Sequence, residues 1–155
     1  MILNELAVLL SRIVLVLLFL PFSALDKVLN FRAATGQARQ AVASPVLAGG
    51  MILLGLGVEV TTSLGLLTGV ADRAAAVVLA GYCAVTAALF KRFWREPDFR
   101  LRGESQGREV FWNFLKNIAL AGALLSIAVG PGTDGLRGLL AKPLSSTHPY
   151  ASRSP

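Results

Sequence analysis

No charged residue falls between Ile13 and Leu25, between Gln40 and Val58, between Ala74 and Phe90, or between Ile118 and Thr133. Leu, Val, Ile, Ala and Gly fill most of these windows, while the links between them gather the Arg, Lys, Asp and Glu. With its flanks, each window reaches the roughly 20 apolar residues a helix needs to cross a bilayer. Apolar blocks alternating with charged links predict an all-α, polytopic membrane protein with four transmembrane helices in an antiparallel bundle. The spans are expected at about Glu5–Leu29, Val46–Val70, Ala74–Phe93 and Val110–Gly130. A soluble helical bundle is the competing reading, but its helices would need polar outer faces, and these have almost none.

The links add detail. Phe31 to Ser44, with Arg32 and Arg39, reads as a short surface-lying helix stopped by Pro45. Asp72-Arg73 is a very short turn that forces the second and third spans to be antiparallel neighbours. The link from Lys91 to Glu109 is long and charged, and Gly130-Pro131-Gly132 stops the fourth span. Residues 1–134 form one four-helix unit on this reading, and 135–155 a mobile polar C-terminal tail rich in Ser, Pro and Gly.

Composition agrees with the pattern. Of 155 residues 54% are hydrophobic and 15% charged, against about 25% charged in soluble domains. The net charge of +6 does not argue for nucleic acid, because the basic residues sit in links beside the apolar blocks, where anionic headgroups and topology explain them. The first and third links hold Lys27, Arg32, Arg39, Lys91, Arg92, Arg95, Arg100, Arg102 and Arg108. The positive-inside rule therefore puts those links in the cytoplasm and both termini on the outer side of the membrane. Glu5 in the first ten residues, with no early Lys or Arg, argues that the first block is a retained span and not a cleaved signal peptide. Cys83 stands alone, which excludes an internal disulfide or CxxC pair, and His148 lies in the tail, so no metal site is expected.

Chemistry is carried by the few polar residues inside the blocks. Glu59 lies mid-block in the second span, where a carboxylate must be paired, protonated or hydrated. Its helical face is expected to include Ile52, Gly55, Thr62, Ser63 and Leu66. From the helical rise Glu59 sits about 16 Å below the terminus-side surface and Arg12 about 10 Å below it, while Lys116 lies about 9 Å below the opposite surface. Depth alone thus favours Arg12 as the partner of Glu59, with Lys116 second. A register-fixing ion pair and a ligand or proton site remain open as its role. Asn113, Lys116 and Asn117 are expected to share one face of the fourth span through i, i+3 and i, i+4 spacing, as Ser23, Lys27 and Asn30 do on the first. These two groups are candidates for an anionic headgroup or a quinone carbonyl, or else are snorkelling helix ends. Gly57, Thr61, Gly65 and Gly69 form a small-residue row on the second span, and Gly122, Ser126 and Gly130 another on the fourth. Such rows are expected to be packing seams within the bundle, with a homo-oligomer seam as the alternative.

Taken together, the residues resemble the DoxX family of small four-helix bacterial membrane proteins. The likeness is carried by Arg12 and the apolar run into Asp26-Lys27, by Pro45 with Leu47-Ala48-Gly49 through Glu59, and by Gly65-Leu66-Leu67-Thr68-Gly69 before Arg73. Phe90 to Trp94 adds to it, and Phe114-Leu115-Lys116-Asn117-Ile118-Ala119-Leu120 running to Gly130 carries most weight, so that it spans about Leu6 to Asp134. Ala24, Thr61-Thr62-Ser63 and the lack of a histidine near the end of the third span depart from the family pattern. The resemblance implies a membrane subunit or anchor of a quinone- or thiol-linked redox system, with quinone as cofactor. It also implies a soluble redox enzyme or another membrane subunit as partner, besides the lipid bilayer. The alternatives are a non-catalytic assembly module and a small carrier of protons, anions or lipids. No complete catalytic constellation is present, so enzyme activity is left open.

Overall fold

Proline 21 breaks the first span. The computed structural model describes residues 2–130 and 134–150, and in it helix α1 (Ile2–Leu17) gives way to a wide, irregular turn at Leu18–Ser23 before α2 (Ala24–Leu29) resumes the same direction. Proline has no amide hydrogen and crowds the preceding turn, so Leu20 escapes to extended backbone at φ −121°, ψ 111°. A short helix α3 (Phe31–Ala38) follows and packs on α4 (Pro45–Thr68). Ser44 caps α4, its Oγ accepting from the Leu47 amide, and Pro45 takes the first helical position. Gly69 ends α4 at φ 75°, a left-handed conformation that glycine adopts freely.

Two residues later Ala71, also left-handed, turns the chain into α5 (Asp72–Phe90). The expected antiparallel pairing of α4 and α5 follows directly. At the other end, α6 (Gln106–Val129) starts from a doubly capped terminus. Ser105 Oγ accepts from Arg108 N, and the Asp98 carboxylate accepts from Gln106 N and Gly107 N at 2.7 and 2.9 Å. Gly107 allows the link to close, since a Cβ there would stand 2.8 Å from the Phe99 backbone. Phe93, Trp94, Phe99, Phe111 and Phe114 form an edge-to-face knot that ties this link to α6. The last helix, α7 (Gly135–Ala141), folds back against α6.

Four helical segments are long and apolar enough to cross a membrane: Glu5–Leu29, Pro45–Thr68, Asp72–Arg95 and Gln106–Val129. No strand occurs among the described residues. The protein is an all-α, multi-pass membrane protein. Its core is thin and built from small side chains, with Leu66, Leu79, Leu124, Ala76, Ala87 and Ala128 fully covered. Large apolar side chains such as Leu10, Val14, Leu53 and Leu125 point outward, where lipid tails rather than water suit them. Extensive packing runs from first span to second, second to third and third to fourth; among the described residues the first and fourth share no comparable interface. The bundle is therefore open on one side.

Three expectations change here. Gly57 and Thr61 are exposed, as are Gly122 and Ser126, and a Cβ at Gly57 or Gly122 would meet nothing within 4 Å. Half of the first row and the Gly122-Ser126 part of the second therefore face out of the bundle, while Gly65, against Ala75 and the Val70 carbonyl, Gly69, against Pro149, and Gly130, against the Ser126 carbonyl, make close approaches within the chain. The tail does not hang free from residue 135, because α7 and the segment through Tyr150 lie against the spans. The proposed stop at Pro131-Gly132 and the last five residues of the tail lie outside the described residues, while α6 itself ends at Val129.

Candidate functional site

Side chains on an α-helix lean toward its N-terminus, and that lean decides which charges meet. Helix α4 starts on the connector side, so the Glu59 carboxylate reaches back in that direction. Lys27, near the connector end of the first span, leans the opposite way, into the bundle. They meet: Lys27 Nζ donates to Glu59 Oε1 at 2.8 Å and to Oε2 at 2.9 Å. Ser23, one turn before Lys27, accepts from Nζ at 2.6 Å and donates to Glu59 Oε1 at 3.0 Å. The Glu59 side chain is 2% exposed and that of Lys27 16%.

The ammonium thus keeps one side open. It faces a cavity of about 770 Å³ bounded by the first three spans and α3, with Asn117 contributed by α6. Leu18, Phe19, Ile52, Val58, Val85 and Leu89 supply apolar wall, and Tyr82, Cys83, Thr86 and Asn117 supply polar groups. The Tyr82 phenol lines the same cavity as Glu59. Gly55 makes room for it, since a Cβ there would come within 3.1 Å of the Tyr82 hydroxyl. A few convergent polar groups in an apolar recess are the usual composition of a small-molecule site.

Arg12 is engaged elsewhere, which corrects the pairing that depth alone favours. It leans toward the terminus-side surface, where α5 begins. Its Nη2 donates to Asp72 Oδ2 at 2.7 Å and to Thr147 Oγ1 at 2.9 Å, and its Nη1 to the Leu66 carbonyl at 2.6 Å. Thr147 in turn donates to Asp72 through both its amide and its hydroxyl. Next to it, Arg73 Nε donates to the Ala128 carbonyl at 3.2 Å and Nη1 to Ser145 Oγ at 3.1 Å, and the Tyr150 hydroxyl donates to the Leu67 carbonyl. The Leu66, Leu67 and Ala128 carbonyls belong to the last turns of α4 and α6, which lack intrahelical donors. Two guanidinium groups and a phenol satisfy them, while Asp72 lies in the first turn of α5, where a negative charge suits the helix dipole.

Lys116 does not approach Glu59 either. Leaning toward the N-terminus of α6 carries it to the outer connector-side surface, and Asn113 is exposed beside it. Asn117 alone of that trio lines the cavity, so the expected joint boundary of two lysines and two asparagines divides into an inner and an outer group. Burial agrees with the expected Glu59 face at Gly55, Thr62, Ser63 and Leu66. Asp72, Tyr82 and Thr147 are the participants that sequence reasoning overlooks. Tyr82 had a signal, as a lone phenol inside an apolar block, and so did Asp72, which opens a span beside a turn.

Among the described residues no group of three or more His, Cys, Asp or Glu side chains is arranged to hold a metal ion. The DoxX family model matches residues 7–92, more than half of the chain. The chain belongs to the DoxX family. The match takes in the first three spans and with them both ion pairs, Tyr82 and Cys83. The stretch Phe114–Leu120, on which the resemblance leaned most, lies beyond it. No curated protein and no solved structure matches this DoxX chain.

Proposed function

We propose that this DoxX protein is the membrane subunit of a quinone- or thiol-linked redox system, and that its cavity holds a lipid-soluble quinone. The observation that carries the reading is the Lys27–Glu59 pair opening onto a largely apolar cavity within the spans. Structural ion pairs need no cavity, whereas a quinone needs polar donors at its ring oxygens and apolar wall around its ring and stem. Lys27, Tyr82 and Asn117 are the donors available to such a ring, and Leu18, Phe19, Ile52 and Leu89 the wall. The open side between the first and fourth spans offers a route from the bilayer. A bound quinone would supply two-electron, two-proton chemistry; the Lys27 ammonium would donate to a ring oxygen, the Glu59 carboxylate would hold that ammonium in place, and the Tyr82 phenol lines the same cavity. The system sits in a bacterial inner membrane with both termini periplasmic, and a soluble redox enzyme docks on the charged link before α6.

Purified protein tests this directly. Its lipid extract is expected to contain quinone in a fixed ratio to protein, strongly reduced in Glu59→Gln. Added quinone is expected to shield Cys83, whose thiol lines the same cavity, from a membrane-permeant maleimide. Absence of quinone from the extract together with an unshielded thiol would remove the reading.

The outward glycine rows favour a second reading, in which the chain is an assembly module that presents Gly57-Thr61 or Gly122-Ser126 to another subunit or to its own copy. A stable partner recovered from the membrane, lost on Gly57→Leu and kept on Glu59→Gln, would support it.

A further inference from the structure

A lysine in the third turn of a membrane helix, facing away from the bundle, needs an anion. Lys116 stands on the outer face of α6, which starts at the connector-side surface, and with Glu109, Trp112 and Asn113 it lines a groove of about 390 Å³. The side chains of Glu109, Asn113 and Lys116 have no hydrogen-bond or ion-pair partner among the described residues. Spacing of three and four residues puts all four side chains on one stripe. From the surface inward the order is a carboxylate, then the indole and amide donors, then an ammonium. Glu109 and Lys116 are separated by about 10 Å along the axis, and the lean of Lys116 toward the N-terminus shortens the gap.

A lone anion suits Lys116 and Asn113 but would stand beside the Glu109 carboxylate. A headgroup with a phosphate below and a positive group above matches both ends at once. The positive group has to donate hydrogen bonds to a carboxylate, which a primary ammonium does and a quaternary one does not. Trp112, half exposed, is the kind of ring that settles at the headgroup level. Below the stripe, Ala119, Gly122 and Ser126 are exposed and small, and nothing stands over Gly122. That leaves a shallow track in which an acyl chain lies against the helix.

We infer that the outer groove of α6 seats a zwitterionic phospholipid with a primary ammonium, of the phosphatidylethanolamine type: Lys116, Asn113 and Trp112 bind its phosphate and Glu109 its ammonium. This site is separate from the cavity, and it does not depend on what the cavity holds.

The full-length protein, released from detergent containing equimolar phosphatidylethanolamine, phosphatidylcholine and phosphatidylglycerol, is measured by native mass spectrometry for retained lipid. The ethanolamine lipid is expected to be retained in preference to the other two. Lys116→Met is expected to weaken that retention about tenfold or more, as loss of a charge-assisted hydrogen bond does. Glu109→Gln is the decisive variant, since it is exposed and leaves the fold alone: the ethanolamine preference drops and phosphatidylglycerol retention rises. Equal retention of all three lipids by the parent protein overturns the assignment. So does an ethanolamine preference that Glu109→Gln leaves intact, or a stable dimer in which a cysteine placed at Ala119 crosslinks to its own copy and covers the groove.

Discussion

Among the described residues two buried ion pairs share one outline, each a cation from the first span and a carboxylate from the second or third, and they differ in what lies beside them. Arg12–Asp72 is closed. Its arginine is planar and always charged, its acid accepts three hydrogen bonds from Arg12 and Thr147, and its surroundings are helix ends that need the donors it brings. Lys27–Glu59 is open on one side to a cavity, and its lysine is a compact point charge on a flexible stem. One pair fastens the first span, the α4–α5 turn and the C-terminal segment together. The other, on the function proposed above, meets a ligand. Burial of charge alone does not separate the two roles; what lies on the remaining side of the pair does.

Removing one partner from each pair gives the largest contrast. Asp72→Ala leaves the Arg12 guanidinium buried and unpaired, and it is expected to lower stability by about 3–5 kcal/mol. Glu59→Gln leaves Lys27 with the cavity to turn toward, so its stability loss is expected to stay near 1–2 kcal/mol, while quinone retention falls about tenfold. Unfolding of the detergent-solubilised variants and quinone assay of their extracts measure both axes. Equal stability losses, or quinone loss on neither, would dissolve the distinction. Thr147→Val, which removes the hydroxyl bridging Arg12 and Asp72, is the intermediate case at about 1–3 kcal/mol, with no effect on quinone.

Four spans, the tight α4–α5 turn and the buried face of Glu59 were legible because they follow from local pattern: uncharged windows, a two-residue link, helical periodicity. Pairing was not, because depth places a Cα and not a charged tip. Arg12 and Lys27 both flank the depth of Glu59, and only the N-terminal lean of side chains on antiparallel helices separates them. Small-residue rows misled for a related reason. A stripe at four-residue spacing fixes a face, but not whether this chain or another molecule covers it. The strap through Thr147 left no periodic signal, since a polar Ser-Pro-rich segment that hydrogen-bonds to a buried acid has the same composition as one that does not.

Two glycines sharpen the comparison with the smallest expected effects. A Cβ at Gly65 would lie 3.1 Å from the Ala75 Cβ and from the Val70 carbonyl, and a Cβ at Gly55 would lie 3.1 Å from the Tyr82 hydroxyl. The crowding is the same, but the neighbours differ in freedom. Ala75 and the Val70 backbone sit beside the closed pair and have nowhere to go, so Gly65→Ala is expected to destabilise by about 1 kcal/mol despite the better helix propensity of alanine. Tyr82 borders the cavity and can swing into it, so Gly55→Ala is expected to leave the unfolding midpoint within about 0.5 kcal/mol. The displaced phenol takes up cavity volume, so the same variant should retain less quinone and should alter the rate at which maleimide reaches Cys83. If Gly55→Ala destabilises as much as Gly65→Ala and leaves the thiol rate unchanged, the wall at Tyr82 is as rigid as the strap, and the open pair is a second fastening.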